Sequence, residues 1–171
     1  MKYFWLIRHA ATQSQAASDI ERQLSPPGHA DGKLMTGYFT DEAKRAGVVA
    51  DWLVTSAATR AQQTAQYVAN GFGLADTQVL VEPGLYLAGP ERLLSTLRDI
   101  PDEFQCVALV AHNPGLSWLV NELSREEEQI DNLPTLGSTL FCSTVEHWSD
   151  LVDAQRISVM TPRQFAGTNT L

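Results

Sequence analysis

The sequence predicts an α/β fold, a three-layer α/β/α sandwich with a mostly parallel central sheet. Two observations carry this. Short, continuous apolar runs, of which Tyr3 to Ile7 and Cys106 to Ala111 are the strongest, read as strands buried on both faces. Between them lie segments whose apolar residues recur at helical spacing, and such alternation is the signature of βαβ units.

Taken in order, Tyr3 to Ile7 predicts the first strand. Pro26-Pro27-Gly28 reads as a break, and His29 to Phe39 as a helix carried by Leu34, Met35, Tyr38 and Phe39. Trp52 to Thr55 is a second short strand. Arg60 to Phe72 places Ala65, Val68, Ala69 and Phe72 on one helical face, with Gly71 or Gly73 available to end it. Val79 to Val81 is a brief strand. Glu91 to Ile100 is a helix stopped by Pro101. After the Cys106 to Ala111 strand, Leu116, Leu119, Val120 and Leu123 mark a further helix, and Thr139 to Val145 and Arg156 to Val159 read as strands. No repeat or linker divides the chain, so residues 1–171 are expected to form a single domain.

Composition narrows the function. The chain has 171 residues, 44% hydrophobic and 19% charged, the balance of an ordinary globular protein. Its net charge of −8 opposes nucleic-acid binding. No stretch has the length of a membrane span, and the first apolar run is broken at Arg8, so no membrane role or signal peptide is expected and the cytoplasm is the default location. Cys106 and Cys142 form no CxxC and are read as free thiols.

The candidate site comes from strand ends. In open α/β sheets ligands bind beyond the carboxyl ends of the strands. Arg8 and His9 end the first strand, Arg60 follows the second at a helix start, and His112 ends the Cys106 to Ala111 strand. A parallel sheet brings all four to one rim. Two guanidiniums and two imidazoles there suit a tetrahedral dianion, and helix starts add partial positive charge. The chemistry that uses such a set is phosphoryl transfer through a phosphohistidine.

The segments "LIRHA", "TSAATRAQQTA", "LYLAGPERLLSTLRDIP" and "ALVAHNPGL", in that order, resemble the histidine phosphatase superfamily, which includes phosphoglycerate mutases, acid phosphatases and the small SixA-type phosphohistidine phosphatases. "IERQLSPPG" and the short chain point to the SixA-like branch, and Ala10, where the family commonly has glycine, is often found in that branch. The resemblance implies a phosphoglycerate mutase-like fold and a nucleophilic His9. It implies phosphate-binding Arg8, Arg60 and His112, and neither metal nor organic cofactor. The substrate it implies is a phosphorylated protein, such as a phosphocarrier or phosphotransfer domain, or a small phosphate ester. The alternatives to a protein phosphohistidine phosphatase are a small-molecule phosphomonoesterase and a non-catalytic phosphoprotein-binding module.

Glu82 is the positional candidate for the carboxylate general acid of many family members, against a plain loop carboxylate. Arg22 either points into the pocket or pairs with Asp19 or Glu21 on the surface, the latter being favoured. Trp118 is expected in the core, His29 and His147 at the surface or in caps, and Glu126-Glu127-Glu128 in a solvated loop or helix end.

Overall fold

A computed structural model describes residues 1–124 and 128–168. Glu126 and Glu127 of the acidic run lie outside the described residues. The order is β1 (Lys2–Arg8), α1 (Pro26–Ala46), β2 (Trp52–Ser56), α2 (Thr59–Phe72), β3 (Val79–Glu82), α3 (Pro90–Arg98), β4 (Cys106–Ala111), α4 (Gly115–Ser124), β5 (Ser138–Ser143), β6 (Gln155–Met160) and α5 (Pro162–Thr168). The sheet runs β3-β2-β4-β1-β5-β6. β3, β2, β4 and β1 are mutually parallel, and β5 is antiparallel to both β1 and β6. The sheet is thus mostly parallel, as expected.

Alternation within β1 explains why its whole run is apolar. Trp5 and Ile7 pack against α1 and α2, with Met35, Phe39, Val68 and Phe72. Phe4 and Leu6 face the opposite layer, with Leu93 and Leu97 of α3 and Leu116 and Val120 of α4. Every residue of β4 is buried.

Three expectations need correction. Pro26-Pro27-Gly28 is the first turn of α1 and not a break. Ser25 caps it by accepting from the Gly28 N–H at 3.2 Å, and proline is tolerated there because the first helical N–H groups have no intrahelical acceptor. Gly28 is required by packing, since a Cβ would lie 2.0 Å from the Ala11 carbonyl oxygen, just beyond β1. The helix also runs on to Ala46, well past Phe39, and ends at Gly47 in the left-handed conformation. Trp118 is exposed and not in the core. It falls between the positions of α4 that face the sheet, Leu116, Leu119 and Val120.

α2 ends at Gly73 (φ 72°), one of the two glycines proposed for that role. The C-terminal α5, which sequence reading omits, packs on α1 through Phe165 and Tyr38, whose rings lie 5.5 Å apart. Both cysteines are free, and Cys106 is buried. Among the described residues no helix is long and apolar enough to cross a membrane.

Candidate active site

Strand register builds the site. Arg8 pairs with Ala111, so His9 and His112, each the next residue, leave neighbouring parallel strands side by side. Their ring centroids are 5.2 Å apart. β2 lies on the other side of β4 and ends at Ser56, whose hydroxyl lies 2.8 Å from His112 Nε2. α2 then begins, with Arg60 in its first turn and no side-chain acceptor at its N-cap, Ala58. Such a helix start contributes partial positive charge.

Each side chain is held on one side and left open on the other. His9 is fixed by its backbone, its N–H donating to Ala111 O at 3.1 Å and its carbonyl accepting from Leu136 N at 3.2 Å. Its Nδ1 donates to the Ala10 carbonyl at 2.8 Å, so a neutral ring carries its lone pair on Nε2. The Ala10 N–H donates to Thr64 Oγ1 at 3.0 Å, and that hydroxyl donates to Arg60 O at 2.7 Å, tying the β1 end to α2. Arg8 Nη1 donates to the Leu133 carbonyl at 2.8 Å, and Asn113 Nδ2 donates to the same carbonyl at 2.9 Å. The segment around Leu133 is therefore a brace behind Arg8 and the β4 end. Arg60 Nη1 donates to the Asp19 carbonyl at 2.7 Å and Nη2 to Asp19 Oδ2 at 3.1 Å.

What remains open is informative. Arg60 and His112 are each 2% exposed and His9 is 8% exposed. Arg8 Nε, Arg22 Nε, Arg60 Nε and His112 Nδ1 are buried polar atoms without a hydrogen-bond partner. An isolated buried donor costs about 1–3 kcal/mol, so a group of them on one rim calls for a ligand rich in acceptors. Burial, foremost, and then the nearby Arg60, Arg8 and Arg22 push the His9 imidazole down to about 4 against the Ala10 hydrogen bond. Burial, then His9 and Arg60, push His112 down to about 3. Both rings are neutral at pH 7.

Arg8, His9, Arg60 and His112 are thus brought together as the sequence anticipates. Arg22 does pair with Asp19, but not on the open surface. Its Nε is 3.0 Å from Asp19 Oδ1, misaligned for a hydrogen bond, and its side chain is only 30% exposed. Glu82 is not brought to the histidines. Its Oε1 accepts from the Gly84 N–H at 2.8 Å and lies 3.2 Å from Arg92 Nη2, on the α3 side of the sheet edge.

Sequence reasoning missed Asp19 and Tyr86. The Tyr86 hydroxyl donates to Asp19 Oδ2 at 2.6 Å. Its ring stands edge-on to His112 at 5.8 Å and 5.9 Å from the Arg60 guanidinium. Neither residue belongs to a strand-end motif, and only the D-x-x-R spacing of Asp19 and Arg22 hinted at a pair. A second depression, between α2 and β3, is lined by Gln62, Gln66, Asn70 and Asp76 and contains no histidine or arginine.

Known proteins share this fold. The chain is similar in structure to the provisionally assigned phosphohistidine phosphatase SixA of Nakamurella multipartitia, at 23% identity over 94% of this chain and 96% of that one, with a TM-score of 0.79. It is similar to the protein histidine phosphatase SixA complexed with tungstate, at 23% identity over 94% of this chain and 97% of that one, with a TM-score of 0.77. It also resembles a provisionally assigned α-ribazole-5'-P phosphatase of Escherichia coli, at 17% identity over 95% of this chain and 98% of that one, with a TM-score of 0.66. These likenesses concern the fold. No curated protein matches the chain in sequence. Residues 4–86, which carry Arg8, His9 and Arg60, match the model of the histidine phosphatase superfamily (branch 1).

Proposed function

We propose that the chain is a phosphatase of the SixA type that works through a phosphohistidine on His9, with a protein phosphohistidine as substrate. The observation that carries the reading is the set of buried, unpartnered nitrogens on Arg8, Arg60 and His112 beside a His9 whose Nδ1 is already committed. A phosphoryl group supplies the missing acceptors. The SixA structure named above is complexed with tungstate, a tetrahedral dianion, which is in keeping with a pocket of this kind.

In the first step the His9 Nε2 lone pair attacks phosphorus opposite the leaving group. The new N–P bond forms as the substrate's N–P bond breaks, and the bonding pair leaves with the substrate imidazole. The guanidiniums of Arg8 and Arg60 hold the equatorial oxygens. Ser56 Oγ accepts from the Ala58 N–H at 3.3 Å, so its own O–H is free to donate to His112 Nε2, which leaves the His112 Nδ1–H to meet a phosphoryl oxygen. Water then attacks phosphorus, the His9 N–P bond breaks, and phosphate departs.

The protein phosphohistidine is preferred over an ester for a chemical reason. An alkoxide needs a proton as it leaves, whereas an imidazole protonated on its distal nitrogen leaves neutral. Glu82 is engaged with Arg92, and Asp19 cannot donate, since the Tyr86 hydroxyl, Arg60 and Arg22 hold its carboxyl below the usual carboxylate range. The second reading, a small-molecule phosphomonoesterase, is favoured by the likeness to the α-ribazole-5'-P phosphatase fold.

Phosphate release from a phosphohistidine-bearing protein and from an aryl phosphate, with wild type and His9→Ala, tests the proposal. Both activities should vanish in the variant, and their ratio in wild type separates the two readings. A wild type that releases phosphate from neither refutes the proposal and leaves a binding site or a substrate outside both classes.

A further inference from the structure

Asp19 meets three groups from three separate parts of the chain. Its Oδ2 accepts from Arg60 Nη2 at 3.1 Å and from the Tyr86 hydroxyl at 2.6 Å, and its Oδ1 faces Arg22 Nε at 3.0 Å. Its carbonyl accepts from Arg60 Nη1 at 2.7 Å. Yet Asp19 is itself on an irregular loop, and its side chain is 48% exposed. A half-exposed aspartate with this many partners is not packing anything. Its partners are the ones that need it.

The arrangement on Arg60 is directional. Asp19 takes the end of the guanidinium, Nη1 and Nη2, with its carbonyl and carboxylate. The side of the fork keeps its Nε–H, buried and without a partner. A planar guanidinium offers carboxylate or phosphate either edge. With the end edge occupied, the Nε edge is the one presented to the pocket. Asp19 is therefore not standing where the phosphoryl group binds.

The same carboxylate answers an electrostatic problem. Arg22 and Arg60 are like charges converging beside the pocket, with Arg8 on its other side, and unbridged they would separate. A carboxylate between Arg22 and Arg60 offsets that repulsion. Arg22 is left with Nε misaligned toward Asp19 and buried, so its N–H is directed elsewhere.

We propose that Asp19 is a positioning residue, which holds the end of Arg60 so that its Nε edge faces the phosphoryl group, and draws Arg22 in as a third arginine of the pocket. The inference rests on the reading of the rim as a phosphate pocket. Tyr86 supports Asp19 through its hydroxyl and borders the pocket with its ring, against His112 and Arg60.

The test measures binding of inorganic phosphate by titration calorimetry, and kcat and KM on the phosphohistidine protein, for wild type, Asp19→Ala, Asp19→Asn and Tyr86→Phe. Melting curves check that each variant folds. Asp19→Ala should weaken phosphate binding and raise KM about tenfold or more, with a smaller change in kcat, because a misplaced guanidinium costs binding of the phosphoryl group first. Asp19→Asn keeps an acceptor oxygen and should lose less, and Tyr86→Phe, which removes one hydrogen bond to Asp19, least. In ¹⁵N spectra the Arg60 Nε–H signal should shift on phosphate addition in wild type and broaden in Asp19→Ala. A folded Asp19→Ala that binds phosphate as tightly as wild type, or more tightly, overturns the proposal while leaving the pocket intact. A wild type that binds no phosphate removes the pocket itself, and the role of Asp19 with it.

Discussion

The two ends of β1 each bury a cation, and they bury it differently. At the amino end Lys2 is 1% exposed, and its ammonium donates to the Asp102 carbonyl at 2.6 Å and the Phe104 carbonyl at 2.9 Å, with the Trp148 ring centroid 5.4 Å away. At the carboxyl end Arg60 is 2% exposed, Arg8 stands at the strand's last position, and both keep an unpartnered Nε. Each end also has a histidine. His147 is exposed and its Nδ1 lies 2.7 Å from Asp102 Oδ2, whereas His112 is buried with Nδ1 unpartnered. A buried cation whose donors are satisfied is holding the structure together. One whose donors are left open is waiting for a ligand.

Exchanging these cations for an apolar side chain of similar length is the sharpest way to break the comparison. Arg60→Met should lower kcat/KM on the phosphohistidine protein by about a hundredfold or more while shifting the melting temperature little, since a buried charge with an unpartnered Nε is removed and the Asp19 carboxylate it leaves is half exposed to water. Lys2→Met should do the reverse. It leaves the Asp102 carbonyl without its ammonium donor and the Phe104 carbonyl with only Trp148 Nε1 at 3.0 Å, costing about 1–3 kcal/mol of stability seen in denaturant melts, with phosphate affinity unchanged. If both variants lose stability alike and neither loses activity, the distinction between the two ends is void.

The two histidine sites should also respond to pH with opposite sign. His9 and His112 are held at about 4 and about 3, below the 6.5 of an unperturbed imidazole, so the unfolded chain binds protons that the folded chain refuses. Their contribution is complete above pH 6.5 and is lost as pH falls from there toward 4. His147 is raised, first by its hydrogen bond to Asp102, so its contribution is complete below 6.5 and is lost as pH rises through its own folded value. Melting temperatures from pH 4 to 8 should show His112→Asn flattening the acid side and His147→Asn the neutral side. The smallest effect is reserved for Glu82→Gln, which should change cleavage of the phosphohistidine protein by less than about threefold, given where Arg92 holds that carboxylate. A tenfold loss would place Glu82 in the reaction.

Much of the site was legible because strand ends announce themselves. A buried apolar run that stops at Arg8-His9, and another that stops at His112, mark one rim once the sheet is parallel. Asp19 and Tyr86 were not legible in this way, because they meet only through loops whose path depends on tertiary packing. Glu82, a candidate by its position in the sequence, ends β3 beside Ser56. What the strand could not determine was its side chain, which Arg92 of α3 draws away. Helix starts were the weak point of the fold. Pro26-Pro27 read as punctuation, although proline in a first turn begins a helix as readily as it ends one. Trp118 misled by its size, since an aromatic residue in an apolar helix is expected inward, and the register of α4 turns it out.

The central claim is that the open end of the sheet passes a phosphoryl group through His9. Rapid acid-free quenching of the enzyme with a ³²P-labelled phosphohistidine protein, followed by peptide mapping, tests it most directly. The account predicts a base-stable, acid-labile phosphoryl group on His9, absent in His9→Ala and retained in Lys2→Met. Label on any other residue, or turnover that persists in His9→Ala, would contradict it.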